Sequence, residues 1–191
     1  MQDLGNVVRG VVGVVDQVDD ADLDRPTPCP DWSVRDLVLH LFGVAVGFLA
    51  VARRQAPTAS PPSALPPAWR AELAEGLDAL AAAWRDPAAW EGTGEAGGVQ
   101  LPNAVLGVVA LDELVLHGWD LARAVDAPFD VAVDDVVACR GFVEQAIEQG
   151  FTGPSGGLFG PPDDRGAVDT GLDGLVARAG RDPAWGVTPV S

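Results

Sequence analysis

The stretch SVRDLVLHLFGVAVGFLAVARR, residues 33–54, has the pattern of a long amphipathic helix. Ser33 followed three residues later by Asp36 is a capping-box pair, which marks the start of a helix. Apolar side chains then recur at three- and four-residue spacings, so that they share one face. These are Val34, Leu37, Val38, Leu41, Phe42, Ala45, Phe48 and Leu49. A stripe this wide predicts a helix that contributes a broad face to a hydrophobic core.

Helical patterns recur on both sides of this stretch. They cover about residues 3–20, 68–84, 103–125 and 134–149, with a shorter piece at about 170–180. Asn103 is a good N-cap residue for the helix that begins there. Prolines and glycines concentrate between these segments, as in the linker 56–67, and they predict loops. No run alternates apolar and polar residues, so no strand is predicted.

The first four helices, without strands, predict an all-α fold, a four-helix bundle, and the shorter segments 134–149 and 170–180 predict one or two accessory C-terminal helices. The length of 191 residues fits one compact domain with its own core. We therefore expect a single helical-bundle domain over residues 1–191, in which residues 150–191 form a loop-rich extension that packs on the bundle. Functional sites of such bundles lie between facing helices.

The charge balance narrows the classes of partner. A net charge of −16 and a pI near 4.2 have the wrong sign for binding nucleic acid or an anionic membrane surface. All 12 basic residues are arginines and tyrosine is absent, which excludes a Schiff-base lysine and a catalytic tyrosine. No apolar run reaches the roughly 18 residues of a membrane-spanning helix, and no signal-peptide pattern is present. With only Cys29 and Cys139, a reduced cytoplasmic protein is expected.

The stretch DELVLHGWD, residues 112–120, puts ionisable side chains into an otherwise apolar helix. Glu113, His117 and Asp120 are spaced four and three residues apart, and they fall on one face with apolar residues above and below. Burying an unpaired carboxylate costs several kcal/mol, so Glu113 needs a cation, a hydrogen-bond network or a metal. On this pattern alone, a hydrogen-bonded Glu113–His117 pair is the simpler interpretation.

The other histidine of the chain also lies inside an apolar stripe. His40 stands in the middle of the helix 33–54, where a lone histidine is usually a core residue with a hydrogen-bond partner. If the two helices face one another, however, His40, Glu113 and His117 can converge on one cation. Two imidazoles and one carboxylate with an open fourth position form the catalytic type of zinc site. The same donors suit Ni²⁺, Fe²⁺ or Mn²⁺.

Residues near these donors admit several roles. Asp120 is a ligand, an acceptor that orients a histidine, or a partner of Arg123, and we favour the last two. Cys29, in TPCPDW, has no histidine near it in sequence, so we interpret it as a buried loop cysteine. Trp32 and Trp119 fit core or pocket-wall positions. The sequence contains no phosphate loop, nucleophile elbow, C-x-x-C pair or dinucleotide fingerprint, and it lacks the paired ExxH motifs of a di-iron bundle.

Three stretches resemble one known family. TPCPDWSVRDLVLHL (27–41), DELVLHGWDLARA (112–124) and GRDPAW (180–185) are similar to metal-binding proteins of the DinB-like superfamily. That superfamily includes the N-terminal domain of mycothiol-dependent maleylpyruvate isomerase. The resemblance implies a DinB-like four-helix bundle, an actinobacterial origin and a divalent metal held by three residues. The residues at the matching positions are His40, Glu113 and His117.

The resemblance also implies an activity. Several members of the superfamily use a low-molecular-weight thiol such as mycothiol, as S-transferases or isomerases. We therefore expect a metal-dependent thiol S-transferase or maleylpyruvate isomerase-like enzyme, with zinc as the first choice and Ni or another transition metal as alternatives. A thiol that ligates the metal loses its proton and becomes a nucleophile at neutral pH, able to attack a small electrophilic substrate.

Further expectations concern the substrate, the alternatives to an enzyme and the oligomeric state. Arg35, Arg53, Arg54 and Arg123 are available as cations for a substrate carboxylate, although we favour a solvated surface position for each. The sizeable C-terminal domain of the isomerase has no counterpart in the chain, so we expect a substrate other than maleylpyruvate. The alternatives to an enzyme are a non-catalytic metal-binding sensor or interaction module, and a buried His–Glu network without metal. Either a monomer or a homodimer fits the sequence.

Overall fold

In a computed structural model of the protein, residues 1–153, 158–164 and 168–186 are described. Its helices are α1 (Gly5–Val15), α2 (Val34–Arg53), α3 (Trp69–Trp84), α4 (Asn103–Ala124), α5 (Val133–Glu148) and α6 (Leu172–Arg178), with single 3-10 turns at Asp20–Asp22 and Pro87–Trp90. Two short strands, β1 (Thr93–Ala96) and β2 (Val99–Pro102), lie between α3 and α4. The predicted helical class is confirmed, with a small hairpin added. Residues 154–157, 165–167 and 187–191 of the predicted extension lie outside the described residues.

Helix α2 begins at the predicted capping box. The Ser33 side chain accepts a hydrogen bond from the Asp36 backbone N–H, and the Asp36 carboxylate accepts one from the Ser33 backbone N–H at 3.0 Å. The helix ends at Arg53, and the left-handed backbone of the C-cap residue Arg54 (φ 53°) terminates it. Among the described residues, α2 alone is long and apolar enough to cross a membrane. Since 56% of that segment is buried within the fold, it equally fits a core helix.

Four helices surround the core. α1 and α2 each pack against both α3 and α4, while α5 packs on α4 and α6 packs on α5. The facing sides supply fully buried leucines, which are Leu37, Leu41, Leu73, Leu77, Leu80, Leu106, Leu111 and Leu114. Each such side chain contributes about 1.5–3 kcal/mol of transfer free energy. Because α2 and α4 are neighbours, polar residues on their inward faces can meet.

The first helix is shorter than predicted. The pattern 3–20 includes Val18, which is buried, yet α1 ends at Val15. Beyond it, the N–H groups of Gln17 and Val18 bond carbonyls three residues back, which is a tighter turn than an α-helix makes. Apolar spacing continues past the helix end because a turn can also keep a side chain in the core.

The start of α4 differs from the prediction as well. Asn103 is not the N-cap, a position occupied by Pro102, but the first helical residue. It is buried, and its side-chain Nδ2 donates a hydrogen bond to the Ala89 carbonyl at 2.9 Å. The side chain therefore ties α4 to the preceding loop instead of capping its own helix.

A hairpin occupies part of the segment predicted to be a loop before α4. β1 pairs with β2 in antiparallel fashion, and Gly97 and Gly98 join them with left-handed φ values of 59° and 78°. A two-residue Gly–Gly turn is typical of tight hairpins, since both positions need positive φ. The prediction of no strands was wrong because four-residue strands are too short for alternation to stand out. The Gly97–Gly98 pair is the sequence feature from which the hairpin could have been predicted.

Candidate metal centre

The packing of α2 against α4 brings the three predicted ligands together. His40 comes from α2, and Glu113 and His117 come from successive turns of α4. One ligand atom from each lies within 4.8 Å of the others. Glu113 Oε2 is 2.9 Å from His40 Nε2 and 3.3 Å from His117 Nε2, and the two imidazole rings meet edge to face with centroids 4.6 Å apart. One carboxylate oxygen thus contacts both imidazoles. We call His40, Glu113 and His117 the donor cluster, because each offers an atom that can donate an electron pair to a metal ion.

Interactions within the site shift the pKa values of Glu113 and His117. Burial raises the pKa of Glu113, but hydrogen bonds from His117 and His40 outweigh it and hold that pKa well below its usual range. Burial also disfavours a charged His117, yet its hydrogen bonds to Asp120 and Glu113 raise its pKa to about 9. At neutral pH these groups favour an imidazolium at His117 beside an ionised Glu113.

The proline-rich loop before α2 supplies an aromatic wall. Trp32 lies 4.8 Å from the His40 ring and stacks on His117 at 5.5 Å with an interplanar angle of 25°. The Thr27 hydroxyl lies 3.1 and 3.0 Å from two loop carbonyls, which stiffens this loop. Trp32 is therefore a pocket-wall residue, whereas Trp119 is buried in α4.

Asp120 is fully buried next to His117. Its Oδ2 lies 3.0 Å from His117 Nδ1, and Arg181 donates to its two oxygens from Nε and Nη2 at 3.3 and 3.0 Å. Burial raises the pKa of Asp120, but His117 and Arg181 together hold it below its usual value. Arg123, the partner considered from the sequence, instead donates to the Trp185 carbonyl at 3.1 Å.

Two residues of the site were not among those predicted. Arg181 lies 61 residues after Asp120, so no helical spacing connects them, and its stretch GRDPAW stood out only through the family resemblance. Asp112 precedes Glu113 and is 4% exposed, and its Oδ1 has no hydrogen-bond partner among the described residues. Burial, reinforced by the charge of Glu113, raises the pKa of Asp112 to about 8. The sequence feature that could have identified Asp112 is its position in the same stretch, DELVLHGWD.

A cavity of about 470 Å³ opens beside the cluster. Side chains of α2, α4 and the Trp32 loop line one side of it. The other side comes from residues that follow α5, including Leu158, Phe159, Gly180 and Arg181. Within the described parts of the chain, Arg181 is the only arginine that lines this cavity. The available cations named from the sequence, Arg35, Arg53, Arg54 and Arg123, do not line it.

Cys29 also lines this cavity and is only half-buried. It offers a ligand atom within 4.8 Å of His117 and Asp120, so a histidine is close to it in space though not in sequence. Burial and the charge of Asp120 raise the pKa of the Cys29 thiol to about 11, which keeps it protonated and unreactive at neutral pH. These three residues fit a second cation poorly, because Asp120 already accepts hydrogen bonds from Arg181 and His117.

Comparison with known proteins identifies the family. Residues 4–122 match the mycothiol maleylpyruvate isomerase N-terminal domain. Two uncharacterized proteins from different strains of Mycobacterium tuberculosis, Rv0738 and MT0763, are each 30% identical over 128 residues, which cover 63% of this chain and 66% of the relative. The chain thus spans a little under two thirds of the length of these relatives. No solved structure matches the chain. Because the family match covers more than half of the chain and includes all three clustered donors, the protein belongs to the mycothiol maleylpyruvate isomerase N-terminal domain family.

Proposed function

We propose that the protein binds a divalent metal ion through His40, Glu113 and His117. The observation that supports this most directly is the convergence of three donor atoms from two helices within 4.8 Å. Two imidazole nitrogens and one carboxylate oxygen fit a catalytic zinc site with a position left for another ligand. Ni²⁺ or another transition metal fits the same donors.

The proposal extends to the architecture and the setting of the site. We propose a DinB-like four-helix bundle formed by α1–α4, with residues 1–191 as one domain, since α5 and α6 pack onto α4 in succession. The contact of Arg181 with Asp120 supports docking of the C-terminal extension on the bundle. The net charge of −16 favours small-molecule partners over nucleic acid or an anionic membrane. Two free cysteines fit the reducing cytoplasm, which is the location that we propose.

The activity that we propose is a thiol-dependent S-transferase or isomerase reaction, with mycothiol as cosubstrate and a small electrophile as second substrate. When bound, a divalent metal supplies a Lewis acid that lowers the pKa of a ligating thiol. Asp120 keeps a proton on His117 Nδ1, and Trp32 contacts both imidazole rings and stacks on that of His117. Leu158 and Phe159 provide an apolar wall, and about 470 Å³ is space for a small ligand.

Metal analysis of protein purified without a histidine tag tests the binding step. We expect about one equivalent of zinc after reconstitution, and a loss of affinity greater than about 100-fold in His40→Ala and His117→Ala. Asp135→Asn in α5 is the matched control, because Asp135 is also a buried acid but lies outside both the donor set and the lining of the cavity. Less than about one-tenth of an equivalent in the reconstituted wild type contradicts metal binding.

A conjugation assay with mycothiol and a panel of electrophiles tests the catalytic step. Activity should appear in the zinc-loaded wild type and disappear in His117→Ala, while Asp135→Asn should retain both the metal and the activity. A fully loaded protein that turns over none of the electrophiles is instead the result expected of a non-catalytic sensor or interaction module.

A further inference from the structure

The segment after α6 reaches the donor cluster through one side chain. We propose that Arg181 is a positioning residue of this site, which fixes the orientation of His117 by holding Asp120. The inference rests on the proposed metal-binding function. It assigns a role to a residue outside the region 4–122 that matches the family.

The contact between Arg181 and Asp120 is buried and two-pronged. The Arg181 side chain is 10% exposed and the Asp120 side chain 0%. Arg181 Nε and Nη2 donate to Asp120 Oδ1 and Oδ2 at 3.3 and 3.0 Å, and Nη1 donates to the Ala179 carbonyl at 3.2 Å. This is the planar fork that arginine, and not lysine, offers a carboxylate.

The ion pair requires His117 Nδ1 to carry a proton. Because both oxygens of Asp120 accept guanidinium N–H groups, this carboxylate acts only as an acceptor. His117 Nδ1, at 3.0 Å from Asp120 Oδ2, is therefore the donor. Nε2, across the ring, then faces Glu113 Oε2 at 3.3 Å. A histidine held through Nδ1–H in this way presents Nε2 as its ligand atom.

The backbone beside Arg181 fixes the direction from which the guanidinium approaches. Gly180 has a left-handed φ of 82° and passes so close to Gly160 that a Cβ on it would lie 2.6 Å from the Gly160 backbone. Only glycine suits this crossing of two segments. Arg181 follows directly, so a tightly placed backbone delivers its side chain to Asp120.

Arg178 is a matched control for a purely structural role. It lies at the end of α6, its side chain is also 10% exposed, and it makes a two-pronged pair with Glu144 at 2.9 and 2.8 Å. It also donates to Asp164 at 3.0 Å. Neither Glu144 nor Asp164 belongs to the donor cluster. Both arginines anchor the C-terminal segment, but only the partner of Arg181 contacts a proposed ligand.

The experiment compares Arg181→Gln with Arg178→Gln. Zn²⁺ affinity is measured by competition with a chelator, and unfolding by urea denaturation. We expect Arg181→Gln to weaken Zn²⁺ binding by about 10- to 100-fold, the usual effect of losing a partner behind a ligand. Arg178→Gln should lower the urea midpoint yet keep the affinity within about twofold. Equal affinities in the two variants overturn the proposal.

A second pair of variants covers a failure of Arg181→Gln to fold. Arg181→Lys and Arg178→Lys keep each charge and remove only the fork. A loss of Zn²⁺ affinity confined to Arg181→Lys supports the positioning role, and equal affinities again contradict it.

A measurement without metal separates this inference from the proposed function. In the wild type, the His117 Nδ1–H held by Asp120 should give a slowly exchanging imidazole resonance in the NMR spectrum of metal-free protein. The resonance should vanish in Arg181→Gln and persist in Arg178→Gln. Its persistence in Arg181→Gln overturns the role of Arg181, whereas a wild type that binds no Zn²⁺ overturns the proposed function.

Discussion

The two halves of α4 bury different kinds of group. In the first half, residues 103–111, Gly107 lies against the indole rings of Trp84 and Trp90, which meet edge to face with centroids 5.0 Å apart. The second half, residues 112–124, carries the ionisable residues, which are Asp112, Glu113, His117 and Asp120. One helix thus combines an aromatic packing surface with a charged cluster.

The hydrogen bonds around the two halves of α4 also differ in kind. The indole N–H groups of Trp84 and Trp90 donate to backbone carbonyls at 3.1 and 2.8 Å, and neither bond changes with pH. In the second half, Glu113, His117 and Asp120 each have an ionisable partner, and the chain of contacts runs from His40 at one end to Arg181 at the other. We therefore expect the first half to contribute stability alone, and the second half to couple stability to protonation and ligand binding.

The largest expected contrast between the halves is in the pH dependence of stability. His117 has a pKa of about 9 in the fold, against 6.5 for an ordinary histidine. Because the folded state holds this proton more tightly, its stabilisation is complete below about pH 6.5 and is lost as pH rises through about 9. Urea denaturation of metal-free protein should show the unfolding free energy falling by up to about 3 kcal/mol across that range.

His117→Ala is the control for this effect. Asp112 contributes a decrease of its own, since its raised pKa costs stability progressively between its ordinary 3.8 and about 8. The difference between the wild type and His117→Ala isolates His117. An identical fall in both proteins shows that His117 does not carry the pH dependence.

The next contrast comes from overpacking the first half of α4. A Cβ on Gly107 would lie 2.5 Å from the Trp90 ring and 2.8 Å from the Trp84 ring, and two interlocked indoles cannot both move aside cheaply. Gly107→Ala should therefore lower the unfolding free energy by about 2 kcal/mol. Its Zn²⁺ affinity and its pH dependence should match the wild type, because the cluster lies in the other half of the helix.

Gly141→Ala in α5 is the matched substitution, since no described residue beyond its own stretch of helix lies within 4 Å of the added methyl group. There the same change should stabilise the protein by about 0.5–1 kcal/mol, because alanine favours a helix interior over glycine. Equal effects of the two substitutions in urea denaturation contradict the role assigned to the indole contact.

The sequence predicts the core helices better than it predicts the segment that leads into α4. Helical spacing was sufficient to identify the core helices, and the Ser33–Asp36 capping box was sufficient to place the start of α2. The hairpin that carries the chain into α4 was missed, because its strands are four residues each and its signal was Gly97–Gly98. The N-cap predicted at Asn103 failed because tertiary contact with the Ala89 carbonyl uses that side chain.

For the candidate site, the sequence could indicate the members that lie on helices. His40, Glu113 and His117 stand out because ionisable residues interrupt apolar stripes, and helix packing then brings them together. Arg181 obeys no such rule, since its contact with Asp120 depends on a loop crossing 61 residues away. Spacing within an element can be read from sequence, whereas a partner supplied by a distant loop requires the fold.

The smallest expected effect concerns the hydrogen bond between Trp90 and Trp84, whose rings pack against the first half of α4. The Trp84 carbonyl belongs to the last turn of α3, where carbonyls lack partners within their helix, and Trp90 Nε1 donates to it at 2.8 Å. Trp90→Phe keeps an aromatic ring against Trp84 but removes this donor, so it should lower the unfolding free energy by about 1 kcal/mol. Urea denaturation at pH 6 and pH 9 should give the same loss, because neither partner titrates. A loss that grows or shrinks with pH contradicts the separation of the two halves of α4, since it couples the indole pair to the charged cluster.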